Sequence, residues 1–446
     1  MASHGIARTI RTRTDEQREQ DLDKIAKYRD LETQIRMRVK QGSNSDNDNG
    51  SYADPVLFQL TTKLLRLNPE YYTIWNVRRC CLTSGLLCRR SGGSSLSKAS
   101  PSTSRSDTMR PSSGDCLPSS SDSTRPDRKS LRAGRDGKSG ISADDGTGSH
   151  DTNTGRTQEA EATGADTQEE DDTEAIGKDT GLLQSELAFT IPLLLEFPKC
   201  YWIWNYRSWL LSEAISRLPS TIARQIWEAE LALTAKMLAK DRRNFHAWSY
   251  RRHVVATLES PALNGSSMAE TEFAYTTKMI GADLSNFSAW HHRSRLILRV
   301  LDEKDADDQA RKAFLEEELA LAREGLNVGP EDQSLWYYHQ FLMSHLTEYS
   351  GRVTIAPALT VEERRAYVMK EIEEIKDLLE DYDDVKWIYQ GLLDYTLALG
   401  SLGGEGKGNE AEGFKDDMQE WLAKLRKLDP MRNGRWDDVE KTLEGW

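Results

Sequence analysis

The sequence predicts an all-α protein built as an α–α superhelix, a solenoid in which antiparallel helical hairpins stack one after another. Three observations predict this fold. A tryptophan followed three residues later by an arginine recurs along the chain. Apolar residues at helical spacing surround each copy, and a polar helix breaker precedes each tryptophan. Such recurrence is the signature of a repeat array, whose units bury their apolar faces only against their neighbours.

Six copies of the repeat are recognised by a central tryptophan. Four carry both residues: Trp75 with Arg78, Trp204 with Arg207, Trp248 with Arg251, and Trp290 with Arg293. The fifth keeps Trp336 but has His339 in the arginine position, and Trp387 with Gln390 is interpreted as a degenerate sixth. Each of the first five tryptophans has an apolar residue seven positions later, so these tryptophans are interpreted as core between paired helices.

Other positions keep the same register. Glu186, Glu230 and Glu272 each stand eighteen residues before a repeat tryptophan. Agreement at several positions is hard to reach by chance, and it indicates that one hairpin geometry is repeated. The repeat arginines lie about one helical turn after the tryptophans, and we interpret them as structural residues that pair with the neighbouring hairpin.

Two regions are predicted along the chain. Residues 1–51 form a basic N-terminal segment followed by an amphipathic helix, and residues 52–446 form the helical-repeat domain. The stretch from about 89 to 180 has no Phe, Tyr or Trp and is rich in Ser, Gly and Thr, so a disordered insertion is expected there. Near the end, Asp429–Pro430 breaks the chain before a short last helix.

Composition excludes several classes of protein. A net charge of -13 argues against nucleic-acid binding, whose footprint is basic. No run approaches the roughly 18 apolar residues of a membrane span. The five cysteines have neither disulfide-framework nor zinc spacing, which favours a reducing, cytoplasmic setting. No Cys, His and Asp cluster suggests a metal site or a self-sufficient catalytic centre in this chain.

Three stretches carry a resemblance to a known family. They read NPEYYTIWNVR at 68–78, RNFHAWSYRR at 243–252 and NFSAWHHR at 286–293. Their shared pattern resembles the repeat of protein prenyltransferase α subunits. The resemblance implies a right-handed crescent of helical hairpins that surrounds a catalytic β subunit.

Within that family the chain is most similar to α subunits of Rab geranylgeranyltransferase (type II), in the fungal form without immunoglobulin-like or leucine-rich domains. His4-Gly5, the TDEQ at 14–17 and the DPMRNGRW at 429–436 carry this similarity. It implies a cytoplasmic heterodimer, active only with its β subunit. Such an enzyme transfers geranylgeranyl from geranylgeranyl diphosphate to C-terminal cysteines of Rab GTPases presented by Rab escort protein.

The resemblance also implies where the chemistry lies. Zinc and most of the isoprenoid pocket belong to the β subunit, and this chain alone binds no cofactor. Lys199 and Tyr201 match the family's P-K-x-Y motif, whose lysine reaches the diphosphate across the subunit interface, and Cys200 stands where the family often has Asn. His246 matches a substrate-binding histidine at the active-site rim, and His4 is at a terminus that can reach the β-subunit zinc.

Two alternatives stay open. One is the α subunit shared by farnesyltransferase and geranylgeranyltransferase type I, which pairs with different β chains. The other is a non-catalytic helical-repeat scaffold, such as a tetratricopeptide array with a period of about 34 residues. After the first gap, the tryptophans here stand 42 to 51 residues apart, which fits that scaffold poorly.

Overall fold

The computed structural model describes residues 14–43, 52–88, 162–402 and 414–444. Residues 1–88 with 174–446 form one unit, described here, and residues 89–173 form a second, of which the start of one helix is described. The α-helices in the described ranges are α1 (Asp15–Ser43), α2 (Pro55–Leu67), α3 (Tyr72–Cys81), α4 (Ala162–Glu196), α5 (Tyr201–Arg217), α6 (Ser220–Lys240), α7 (Phe245–Leu258), α8 (Ala269–Ala282), α9 (Phe287–Glu303), α10 (Asp308–Val328), α11 (Gln333–Thr347), α12 (Val361–Asp377), α13 (Lys386–Ser401), α14 (Lys415–Leu428) and α15 (Asn433–Glu444).

Consecutive helices pack as antiparallel pairs, as short connections between neighbouring helices require. The pairs are α2 with α3, α6 with α7, α8 with α9, α10 with α11, and α12 with α13. The same holds for α4 and α5, since the Arg207 guanidinium donates to the Leu187 carbonyl across them at 2.6 Å. The second helices of successive pairs also contact one another, for example α3 with α5 and α9 with α11. The predicted all-α array of hairpins is confirmed.

Polar side chains mark where the second helices begin. The Asn244 Oδ1 atom accepts the backbone N–H of His246 at 3.1 Å, and Asn286 Oδ1 accepts that of Ala289 at 3.2 Å. Each contact satisfies an N–H group that has no partner inside the first helical turn, and such a cap contributes about 1 kcal/mol. The aromatic residue that follows each asparagine is therefore the first residue of its helix.

A repeated hydrogen bond seats the tryptophans. The indole N–H of Trp75 donates to the carbonyl of Pro69, six residues earlier, at 2.8 Å. The other four, from Trp204, Trp248, Trp290 and Trp336, donate to the carbonyl six residues earlier at 2.6–3.0 Å. All five side chains are at most 4% exposed. They are core residues, and each also ties the turn to the start of its second helix.

The arginine of each repeat binds a glutamate of the next hairpin. The pairs are Arg78 with Glu186, Arg207 with Glu230, Arg251 with Glu272, and Arg293 with Glu318, each through two N–H···O bonds of 2.5–2.9 Å. Every partner is at most 5% exposed. The predicted pairing of each arginine with the neighbouring hairpin is therefore observed. The acceptors are the three glutamates that stand eighteen residues before a repeat tryptophan, together with Glu318.

The same glutamates accept a second donor from their own repeat, two residues after the tryptophan. The Tyr206 hydroxyl donates to Glu186 at 2.7 Å, and the Tyr250 hydroxyl donates to Glu230 at 2.8 Å. Burial and the adjacent carboxylate raise the pKa of Tyr206 well above its ordinary value, so this phenol stays protonated and donates. We call the row formed by Glu186, Glu230, Glu272, Glu318 and Glu371 the carboxylate ladder.

The sixth repeat is centred on Tyr389. The prediction that Trp387 and Gln390 form its centre is therefore wrong. Glu371, the last member of the ladder, stands eighteen residues before Tyr389 and accepts His339 Nε2 at 3.0 Å. The Tyr389 hydroxyl donates to the carbonyl of Asp383, six residues earlier, at 2.8 Å, as the indoles do in the other repeats. A phenol can supply this hydrogen bond in place of an indole, and a search for tryptophan misses it.

One further sequence prediction changes. The stretch predicted as a disordered insertion ends too late, because α4 already begins at Ala162 and its Asp179 side chain is buried. The Asp179 carboxylate accepts the Cys88 N–H and pairs with Arg217 of α5, so this part of α4 is anchored to the repeat array. Residues 89–161 and His4 lie outside the described residues.

The glutamates of the ladder should dominate stability. We expect Glu230→Ala to lower the free energy of unfolding by about 3–5 kcal/mol, because it leaves the Arg207 guanidinium buried without a counter-charge. Urea unfolding measures the change. The control is Asp23→Ala, which breaks a solvent-exposed 2.6 Å pair with Lys27 and should cost less than about 0.5 kcal/mol. Equal losses in the two variants would contradict a structural role for Glu230.

Two hydrogen bonds fix Cys88, the last described residue before the interruption, to α4 and α5. The Cys88 N–H donates to Asp179 Oδ1 at 2.9 Å, and the Arg217 guanidinium donates to the Cys88 carbonyl at 3.1 Å. We expect replacement of residues 92–160 by a flexible Gly-Ser linker to leave Tm within about 3 °C, because Asp179 and Arg217 hold Cys88 against α4 and α5 without that segment. Asp179→Ala should lower Tm in both backgrounds. Loss of cooperative thermal unfolding on deletion alone would refute this.

Candidate functional site

Lys199 and Tyr201 lie at the turn between α4 and α5. The Cys200 N–H donates to the Phe197 carbonyl at 3.0 Å, and Trp204 holds the Pro198 carbonyl at 3.0 Å, so both flanks of Lys199 are fixed. The Lys199 side chain itself is 71% exposed, and its Nζ lies 3.8 Å from Asp241. An exposed pair at that distance contributes little, so the ammonium is available to another anion.

His246 lies near Tyr201, at the start of α7. Its ring centroid lies 6.5 Å from that of Tyr201 and 4.0 Å from that of Phe245. Burial lowers the pKa of His246, the Lys199 charge lowers it further, and Glu70 opposes the shift. The imidazole is therefore uncharged at neutral pH and offers a hydrogen bond, while Lys199 supplies the positive charge.

A groove of about 290 Å³ opens between α5 and α7 beside these residues. Tyr201, Phe245 and His246 line it together with polar side chains of Asn205, Ser208 and Ser249. The groove is open on one side, so it can contribute groups to a site that another molecule completes. The sequence analysis did not propose Phe245 as a site residue, although the aromatic residue three positions before four of the repeat tryptophans was the available signal.

Cys200 replaces a residue that holds two hairpins together. At the equivalent position four residues before the tryptophan, Asn244 Nδ2 donates to the Pro198 carbonyl at 3.1 Å and Asn286 Nδ2 donates to the Arg242 carbonyl at 2.9 Å. The Cys200 thiol points to the matching carbonyl of Pro69 at 3.5 Å and does not cap α5. Burial raises the pKa of the thiol to about 11, so it is a packed group and not a nucleophile.

An exposed aromatic residue begins each of four second helices. The exposed fractions are 45% for Tyr72, 53% for Tyr201, 63% for Phe245 and 50% for Phe287. We call these four residues the aromatic row. Large apolar groups placed repeatedly at one register and left in solvent mark an interaction surface. The row includes Tyr201 and adjoins Lys199 and His246.

Within the described ranges, no three or more His, Cys, Asp or Glu side chains are grouped so that they could hold a metal ion. No helix of the described part of the chain is long and apolar enough to cross a membrane.

Comparison with known proteins identifies the repeat. The model of the family "Protein prenyltransferase alpha subunit repeat" matches residues 57–85, 183–214, 227–258, 269–300 and 315–346. These matches contain the first five repeat tryptophans.

Curated relatives extend the comparison beyond the repeat. The chain is 31% identical to "Geranylgeranyl transferase type-2 subunit alpha" of Dictyostelium discoideum, over 59% of this chain and 71% of that protein. It is 30% identical to the protein of the same name from Schizosaccharomyces pombe, over 49% of this chain and 62% of that one. It is 38% identical to the protein of the same name from Bos taurus, over 36% of this chain and 26% of that protein.

The chain belongs to the protein prenyltransferase alpha subunit family. Within that family, the relatives described above all carry the name geranylgeranyl transferase type-2 subunit alpha. The matched stretches cover 62% of the S. pombe protein and 46% of the Saccharomyces cerevisiae one.

An asparagine at position 200 should stabilise the turn between α4 and α5. We expect Cys200→Asn to raise the free energy of unfolding by about 0.5–1.5 kcal/mol, because its side chain can cap α5 and donate to the Pro69 carbonyl. Urea unfolding measures the gain. The reciprocal variant Asn244→Cys should lose a similar amount. A destabilised Cys200→Asn protein would show that the thiol is required for packing at this turn.

Proposed function

We propose that this chain is the α subunit of a heterodimeric Rab geranylgeranyltransferase, which acts in the cytoplasm with a β subunit. The names of the curated relatives support the type II enzyme over the farnesyltransferase-type α subunit and over a non-catalytic scaffold. The single observation that carries the proposal is the exposed Lys199, held beside Tyr201 and His246 in the middle of the aromatic row.

The reaction joins a cysteine sulfur to an isoprenoid. A Rab cysteine thiolate, presented with Rab escort protein, attacks C1 of geranylgeranyl diphosphate; the C–S bond forms as the C1–O bond breaks, and diphosphate leaves with the electron pair. Zinc bound by the β subunit would lower the pKa of the Rab thiol and so favour the thiolate that this attack needs. Transfer of two such chains would anchor a Rab protein firmly to membranes.

Lys199 acts on the leaving group. Its ammonium meets the negative charge that grows on the diphosphate oxygens, and its fixed turn means that little reorganisation is needed during the reaction. Preorganised donors of this kind contribute about 2–4 kcal/mol to transition-state stabilisation. The Tyr201 hydroxyl can donate to the same anion. His246, uncharged at neutral pH, adds a hydrogen bond at the rim of the site.

The experiment is co-expression of the chain with a type II β subunit and an assay of geranylgeranyl transfer to a Rab–escort protein complex. We expect transfer with the type II partner and none with a farnesyltransferase β subunit. Absence of transfer with any type II partner would overturn the proposal.

The lysine is tested by substitution. We expect Lys199→Ala to lower turnover about 10²-fold while the heterodimer still assembles, because the side chain makes no buried contact. Turnover under saturating substrate and size-exclusion chromatography provide the two readouts. Lys236→Ala, on the exposed surface of α6, is the matched control and should leave turnover unchanged. Failure of Lys199→Ala to assemble would assign the lysine a structural role.

A further inference from the structure

The residue five positions before the repeat tryptophan contacts an acidic side chain of the next turn in three successive hairpins. These contacts, each from one turn to the following one, join Lys199 to Asp241, Arg243 to Asp283, and Ser285 to Asp332. The turns at which the second helices begin are therefore connected along their edge by a second set of polar contacts. This set lies outside the buried carboxylate ladder, because its lysine and arginine are exposed.

Two of these contacts have the same register but differ in tightness. In both, a cation five residues before one tryptophan faces an aspartate seven residues before the next tryptophan. Arg243 binds Asp283 through two N–H···O bonds of 2.7 and 2.8 Å, and these bonds lower the pKa of the Asp283 carboxyl. The Lys199 Nζ atom instead lies 3.8 Å from Asp241, beyond hydrogen-bond distance. Lys199 thus occupies the position of a turn-to-turn ion pair, but its own pair is loose.

The difference follows from the chemistry of the two cations. An arginine guanidinium is a planar fork that matches a carboxylate at two points, whereas a lysine ammonium is a point charge on a flexible stem. The Lys199 side chain is 71% exposed and that of Asp241 is 37% exposed, so water and salt weaken their attraction. A lysine at this position therefore has its counter-ion nearby without being bound firmly to it.

The backbone holds Asp241 beside the lysine. Asp241 directly follows α6; its N–H donates to the Met237 carbonyl at 2.9 Å, and its carbonyl accepts the Asn244 N–H at 3.2 Å. The Asn244 side chain in turn donates to the Pro198 carbonyl at 3.1 Å, one residue before Lys199. The two turns are hydrogen-bonded to each other, so the carboxylate keeps its place while the flexible lysine side chain can turn away from it.

We propose that Asp241 is a positioning residue for Lys199, an exchangeable counter-ion that holds the ammonium at the site and competes with diphosphate for it. The inference rests on the proposed function, because the diphosphate group of geranylgeranyl diphosphate is the anion that displaces Asp241. When the substrate binds, the ammonium leaves one carboxylate for phosphate oxygens that carry more negative charge. When the product diphosphate departs, Asp241 takes the ammonium back and so favours release.

The test measures the inhibition constant Ki of inorganic diphosphate and the KM of geranylgeranyl diphosphate for the heterodimer with a type II β subunit. We expect Asp241→Asn to lower both values about two- to fivefold, because an exposed ion pair shifts a binding equilibrium by about that factor. The kcat should stay within about twofold, since Lys199 itself is retained. Asp241→Glu keeps the charge, so its Ki should match that of the wild type.

Three backgrounds at position 199 separate competition for the lysine from a general effect of charge. D241N should lower Ki most in the K199R background, because an arginine forms the two-point pair that Arg243 makes with Asp283. In the K199A background D241N should leave Ki unchanged, since no ammonium is left at that position. The matched control is E228Q, which removes one negative charge from an exposed ion pair of α6 and should also leave Ki unchanged.

Circular dichroism and size-exclusion chromatography verify the fold and the assembly of each variant. An unchanged Ki in D241N, equal changes in all three backgrounds, or the same change in E228Q overturns the inference. Failure of D241N to assemble also overturns it, because Asp241 is then a structural residue. A wild-type heterodimer that transfers geranylgeranyl while D241N has no effect refutes this inference alone; a wild-type heterodimer that transfers none refutes the proposed function as well.

Discussion

The buried ion pair between the arginine of one hairpin and the glutamate of the next is the interaction on which this structure depends. A guanidinium and a carboxylate are both expensive to bury, and only a two-point contact with further donors makes the pair tolerable. Because the two charges come from adjacent repeats, neither hairpin can satisfy its own. Each hairpin therefore completes its neighbour, and the ladder Glu186 to Glu371 carries this dependence through the array.

The buried polar contacts between hairpins also explain how the turn that carries Lys199 keeps its position. The turn that carries Lys199 is held by the Trp204 indole on one side, and Asn244 of the next hairpin shares the same Pro198 carbonyl. Lys199 needs no buried contact of its own to be placed. Its exposure, which in isolation would mark an ordinary surface lysine, is what the proposed action on a neighbouring subunit requires.

The sixth repeat shows where pattern recognition fails and why. The tryptophan is the most visible residue of the repeat, but what the hairpin needs at that position is a large buried side chain with a donor for the turn carbonyl. Tyr389 meets both needs, whereas Trp387 lies two residues away and is only partly buried. The spacing from the ladder glutamate is the better guide, because helix geometry fixes it. The predicted end of the insertion was wrong for a related reason. Asp179 of α4 contacts Cys88 and Arg217, which are remote in sequence.

The sequence by itself determined the all-α repeat class and the first five repeat centres, because period and helix breakers are local properties of a chain. Short motifs also marked Lys199, Tyr201 and His246 as candidate site residues. Only the tertiary structure decided which charges meet. Arg78 and Glu186 are separated by 108 residues, so no local pattern shows which glutamate an arginine binds. That pairing depends on how successive hairpins pack against one another.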